Sequence, residues 1–121
     1  MAKKVLLADD HPSIRRMLAD LFEGEENHDV CAEAMDGQEA ISLAIKHRPD
    51  LIILDLSMPV LNGLEASIEL KKLMPDTPII LFTNHASLSN SLFGSGASVD
   101  RIVSKTNANE LMEHVRSLVP A

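Results

Sequence analysis

The sequence predicts an α/β protein, a doubly wound parallel sheet of five strands with five helices laid over its two faces. Three observations carry this prediction. Short apolar runs recur along the chain at Val5-Leu6-Leu7-Ala8, Leu51-Ile52-Ile53-Leu54, Ile79-Ile80-Leu81-Phe82 and Ile102-Val103. The first three are apolar on successive residues rather than on alternate ones, which is how a strand covered on both faces reads. Stretches with helical apolar spacing lie between them, so the order is βαβαβαβαβα, and alternation of this kind means parallel strands joined by right-handed crossovers.

The elements follow in order. After the first strand, Ile14, Met17, Leu18, Leu21 and Phe22 keep the i, i+3, i+4, i+7, i+8 spacing of one helical face. Pro12 suits the first turn of that helix, where its missing N–H costs nothing, and Gly24 can end it. Val30-Cys31-Ala32 is a weaker run that reads as an edge strand. Ala40, Ile41, Ala44 and Ile45 form a second stripe, with Asp36 placed as its cap. A third helix begins near Gly63 and stops before Pro75. The fourth falls on Ser87-Leu88-Ser89-Asn90-Ser91-Leu92-Phe93-Gly94-Ser95-Gly96, where Ser and Gly make a poor helix. Ala108, Leu111, Met112, Val115, Leu118 and Val119 define the last helix, with Asn107 and Glu110 resembling a capping box.

At 121 residues the chain is expected to be one domain, residues 1–121, and 45% hydrophobic content supplies one core. No apolar run approaches the roughly 18 residues that span a bilayer. The apolar stretch near the N-terminus is too short for an export signal and ends abruptly at two Asp. A soluble, cytoplasmic protein is expected. The single Cys31 can form no internal disulfide and reads as a small buried thiol. A net charge of −7, with neither Trp nor Tyr, argues against direct nucleic-acid binding. The five histidines, His11, His28, His47, His85 and His114, show no metal-ligand spacing and are expected at the surface.

The chemistry is expected at one sheet edge, because ligands of open α/β sheets bind outside the carboxyl ends of the strands. There the first strand ends in Asp9-Asp10, the third in Asp55, the fourth in Thr83 and the fifth in Ser104-Lys105. Any one of these alone reads as an ordinary cap, turn or solvated residue; their convergence is what calls for a site. Carboxylates held about 4 Å apart repel by roughly 4 kcal/mol per pair at an effective dielectric near 20, so a hard cation is needed to offset them. All-oxygen ligands suit Mg²⁺, which commonly binds together with phosphate. Lys105 adds a point charge for an anion, and Thr83 a neutral donor.

Across nearly its whole length the sequence resembles a response-regulator receiver domain. The matching pieces are Val5-Leu6-Leu7-Ala8-Asp9-Asp10-His11-Pro12, Pro49-Asp50 through Asp55-Leu56-Ser57-Met58-Pro59, Asn62-Gly63-Leu64-Glu65, Ile80-Leu81-Phe82-Thr83, Gly96-Ala97 and Lys105. Asp9-Asp10-His11-Pro12 and Lys105-Thr106 are similar to receivers of the NarL/FixJ type. The resemblance implies a flavodoxin-like sheet in the order 2-1-3-4-5 and a phosphorylation-dependent signalling switch rather than a metabolic enzyme. It implies Asp55 as phosphoacceptor, and Mg²⁺ held by Asp10 and Asp55 directly, by the Ser57 backbone carbonyl, and by Asp9 partly through water. Thr83 and Lys105 would contact the phosphoryl oxygens. The implied partner is a sensor histidine kinase or phosphotransfer protein. The face formed by the fourth helix, fifth strand and fifth helix would change on phosphorylation and could support a homodimer.

The sequence departs from the family pattern at Ile102, where an aromatic is common, at Asn84, where a small residue is usual, and at Thr106 in place of proline. The resemblance implies that Ser57 and His85 would flank the approach of water to Asp55. Two other classes fit parts of the pattern: a receiver-like binding module that accepts no phosphate, and a small Mg²⁺-dependent phosphohydrolase. The hydrolase reading requires a nucleophile after the first strand and a substrate cap, and here Asp55 follows the third.

Overall fold

A computed structural model describes residues 2–84 and 98–120. The elements are β1 (Lys3–Ala8), α1 (Pro12–Glu23), β2 (His28–Ala34), α2 (Gly37–His47), β3 (Leu51–Leu54), α3 (Gly63–Leu73), β4 (Ile79–Thr83), β5 (Arg101–Ser104) and α4 (Ala108–Leu118). The five strands form one parallel sheet in the order β2-β1-β3-β4-β5. Four helices are present among the described residues, and the helix expected over 87–96 lies outside them. None of the described helices is long and apolar enough to cross a membrane.

The period-two geometry of a strand explains why the apolar runs are continuous. Leu6, Ala8, Ile52, Leu54, Ile79 and Leu81 point to one face, where Ala40 and Ala44 of α2 and Ala66 and Leu70 of α3 cover them. Val5, Leu7, Leu51, Ile53, Ile80 and Phe82 point to the other, against Leu18 and Phe22 of α1 and Leu111, Met112 and Val115 of α4. Every residue of β3 and β4 is therefore buried, whereas the edge strands β2 and β5 are mixed.

Local rules set the ends of the helices. Pro12 occupies the first turn of α1, and His11 before it makes no side-chain cap. Asp36 caps α2 by accepting from the Glu39 N–H at 2.7 Å. A reciprocal capping box, Asn62 with Glu65, starts α3. At α4 the expected box is half formed. Asn107 accepts from the Glu110 N–H, but the Glu110 carboxylate takes the Asn107 amide instead of its backbone N–H.

Three readings of single residues are corrected. His28 is buried rather than at the surface, 3% exposed, and its Nε2–H donates to the Val119 carbonyl at 2.7 Å. Ile45 is 48% exposed, and the partly buried Leu43 packs against the α2 face of the core in its place. Cys31 is half-buried, because an edge strand has only part of its surface covered.

Candidate functional site

The carboxyl ends of β1 and β3 lie side by side, with Ala8 paired to Leu54. The next residue of each strand, Asp9 and Asp55, is therefore brought to one rim, and the Asp55 N–H donates to the Ala8 carbonyl at 2.9 Å. Asp9 and Asp55 are 2% and 3% exposed, while the Asp10 side chain remains about one-third exposed. Asp9, Asp10, His11 and Asp55 each present a ligand atom within 4.8 Å of the others.

β5 supplies the opposing charge. Its register pairs Thr83 with Ser104, so Lys105 follows at the same rim, and the Lys105 N–H donates to the Thr83 carbonyl. The Lys105 side chain is 5% exposed, and its Nζ lies 2.7 Å from Asp9 Oδ2 and 3.2 Å from Asp55 Oδ2. The second approach is an ion pair off the hydrogen-bonding direction, which leaves Asp55 Oδ2 buried without a hydrogen-bond donor. Burial raises the Asp55 carboxyl above its ordinary pKa, and the charges of Asp9 and Asp10 push the same way. Lys105 pulls it down without cancelling them.

Two glycines hold the floor of the site. Gly63 N–H donates to Leu56 O at 2.9 Å, and a Cβ on Gly63 would stand 2.1 Å from the Asp55 carbonyl oxygen. A Cβ on Gly37 would meet the Leu61 carbonyl at the same distance. Between Pro59 and Leu61 the chain reverses in a tight turn, with Leu61 N–H donating to the Pro59 carbonyl and Val60 at φ 68°. A cleft of about 280 Å³, lined by His11, Ser13, Ile14, Asn84, Lys105 and Thr106, opens beside the acidic group.

The structure thus brings Asp9, Asp10, Asp55 and Lys105 into one cluster. Thr83 is fully buried at the same sheet edge, and Ser57 is exposed in the loop two residues beyond Asp55. Ser104 faces elsewhere, its hydroxyl bonded to that of Thr106 at 2.7 Å. His11 is a member that spacing rules miss. Those rules look for ligands one helical turn apart, whereas His11 enters through direct adjacency to Asp9 and Asp10 in the β1–α1 loop.

The donor set suits a divalent cation. It offers carboxylate oxygens, one of them buried and lacking a donor, with a single ammonium against three carboxylates.

Residues 5–116 match the response regulator receiver domain family, and the chain belongs to it. It is 35% identical over 117 residues to a nitrate/nitrite response regulator protein homolog of Haemophilus influenzae, covering 95% of this chain and 56% of the relative. It therefore spans about half the length of the curated relatives it matches. A LuxR-family two-component response regulator from Aurantimonas superposes with a TM-score of 0.85 at 30% identity, over 98% of this chain and 85% of that one. The response regulator TrrA of Thermotoga maritima, solved in complex with Mg²⁺-BeF, superposes with a TM-score of 0.85 at 35% identity, over 97% and 99%. This chain is accordingly a receiver domain of the two-component type, a signalling module.

Proposed function

We propose that Asp55 accepts a phosphoryl group from the phosphohistidine of a sensor kinase or phosphotransfer protein and that the acyl phosphate so formed is the signal. The observation that supports this reading is Asp55 Oδ2, a carboxylate oxygen at a strand end, buried, without a hydrogen-bond donor, and 3.2 Å from an ammonium. A carboxylate so placed is desolvated on one side and charge-compensated on the other, as a nucleophile toward an anionic phosphoryl group must be.

The Asp55 oxygen forms the new P–O bond as the P–N bond to the donor imidazole breaks, and the bond electrons leave with the imidazole nitrogen. Lys105 stays in place throughout and offsets charge on the phosphoryl oxygens, so the protein's contribution is positioning and electrostatics. Thr83 offers its hydroxyl to the same oxygens. Asp10, Asp55 and the Ser57 carbonyl would hold Mg²⁺, with Asp9 beside them. When bound, Mg²⁺ would supply positive charge against the carboxylates and the transferring oxygens.

The protein works in the cytoplasm as a switch and does not turn over a metabolite beyond forming and hydrolysing its own acyl phosphate. Its output runs from Thr83 and Lys105 through β5 and α4, the face that also serves a homodimer. Incubation with acetyl phosphate and Mg²⁺, followed by intact-mass measurement, tests the reading. One phosphoryl adduct, absent without Mg²⁺ and absent from Asp55→Asn, is expected. An adduct that survives in Asp55→Asn overturns it, as does no adduct where a control receiver is labelled.

A further inference from the structure

Asp9 is anchored at each of its four polar groups. Its N–H donates to the Ala34 carbonyl at 3.0 Å. Its Oδ2 takes Lys105 Nζ at 2.7 Å, and its Oδ1 takes the His11 backbone N–H at 2.9 Å. The fourth group, its carbonyl oxygen, accepts from the guanidinium of Arg15 in the first turns of α1. Arg15 is itself held, because its Nε lies 3.4 Å from Glu33 Oε1 on β2 and its side chain is 16% exposed. The guanidinium thus bridges β2 to the chain leaving β1, just past Ala8 and Ala34, the last pair of their ladder. Asp10 is held far less. Its side chain is 34% exposed and meets His11 Nδ1 at 3.0 Å. The Asp9 carbonyl belongs to the peptide plane whose other end is the Asp10 N–H, and that plane is rigid. The direction of Asp10 therefore follows the plane that Arg15 grips.

We propose that Arg15 is a positioning residue for phosphoryl transfer, fixing the Asp9–Asp10 peptide so that the Asp10 carboxylate stands ready beside Asp55. Asp10 and Asp55 already present oxygens within 4.8 Å of each other. A side chain ordered beforehand does not have to be ordered when a cation binds, so binding is tighter. The sign of the effect separates positioning from charge. A guanidinium near a cation site repels the cation, so by charge alone its removal would tighten Mg²⁺ binding. By positioning, its removal weakens it. The inference rests on the proposed function in taking this rim to be the site of Mg²⁺-assisted phosphorylation.

Calorimetric Mg²⁺ titration of the unphosphorylated protein, alongside the rate of acetyl phosphate labelling at graded Mg²⁺, tests the proposal. Arg15→Gln is expected to weaken Mg²⁺ binding roughly tenfold, as loss of an outer-shell partner does. The labelling rate at saturating Mg²⁺ should fall much less. Arg15→Lys keeps the charge but not the fork that spans Glu33 and the carbonyl, so it should recover only part of the loss. Unchanged or tighter Mg²⁺ binding in Arg15→Gln overturns the proposal. So does an affinity in Arg15→Lys equal to that of the unmodified protein, and this variant decides alone if the glutamine one does not fold. If the unmodified protein binds Mg²⁺ yet takes no phosphoryl group, the phosphoacceptor reading falls and the titration still decides the role of Arg15. If it binds no Mg²⁺, both fall.

Discussion

The two loops that flank the acidic rim are held by different means. On the β3–α3 side the backbone itself is locked. Gly63 packs its Cα against the Asp55 carbonyl, Asn62 and Glu65 close a reciprocal cap, and the turn at Val60 is drawn tight by the Leu61 N–H. On the β1–α1 side α1 starts without a side-chain cap, and the loop is held by charged groups gripping one another. Asp9 takes Lys105, the His11 ring and the His11 backbone, and Arg15 donates to the Asp9 carbonyl. The phosphoacceptor is thus fixed by packing, while its charged neighbours are fixed by electrostatics. Geometry on the first side is set by packing, and on the second by charge, with the Lys105–Asp9 pair, 5% and 3% exposed, shielded from salt by its burial.

Removing one part at a time breaks this contrast. Gly63→Ala is the harshest change, because a methyl placed 2.1 Å from a backbone oxygen forces the β3–α3 connection to move. Overpacking of this kind costs about 3 kcal/mol, at the upper end of its usual range, and urea denaturation should report a loss of that size. Asn62→Ala removes the cap of α3 and should cost about 1 kcal/mol by the same measurement. No equivalent loss exists on the α1 side, where no side chain caps the helix.

The smallest effect has the opposite sign. Burial and the charge of Asp9 raise the Asp55 carboxyl, so the folded protein takes up this proton more readily than the unfolded chain. Stability therefore falls as pH rises from the ordinary Asp range near about 3.9 through the raised folded-state value, and the penalty is complete above it. Asp55→Asn carries no such charge. In metal-free buffer at neutral pH it should melt slightly above the unmodified protein, and the gap should close as the pH is lowered through that window. A lower melting temperature for Asp55→Asn at neutral pH would show that the ion pair with Lys105 outweighs desolvation.

Most of the fold was legible because β3 and β4 are covered on both faces, which leaves no room for polar residues in Leu51–Leu54 or Ile79–Phe82. The rim was legible for a related reason, since polar residues that interrupt such runs mark the strand ends. Edge positions were harder to read. Cys31 and His28 sit on β2, where one strand serves both core and solvent, so a residue's type says little about its side. Ile45 has the right spacing for the α2 stripe, yet alanines at 40 and 44 carry the contact. His11 was missed because its importance comes from a loop turning an adjacent ring back onto two carboxylates, and no periodicity records that. Val60 at φ 68° gave no signal either, since a β-branched residue is the last expected in that conformation.

The bond from His28 to Val119 ties together residues 91 positions apart and closes the chain into a mechanical circuit. Tension applied at Pro120 does not load α4 alone. It enters the sheet through one imidazole at the first residue of β2, whose pairing with β1 begins at Lys3 and runs to Ala8. Asp9 is the next residue. A pull at one end of the molecule therefore meets the acidic rim at the other only through the β1–β2 ladder, with His28 as its first link and a register shift between Val5 and Leu6 along the way.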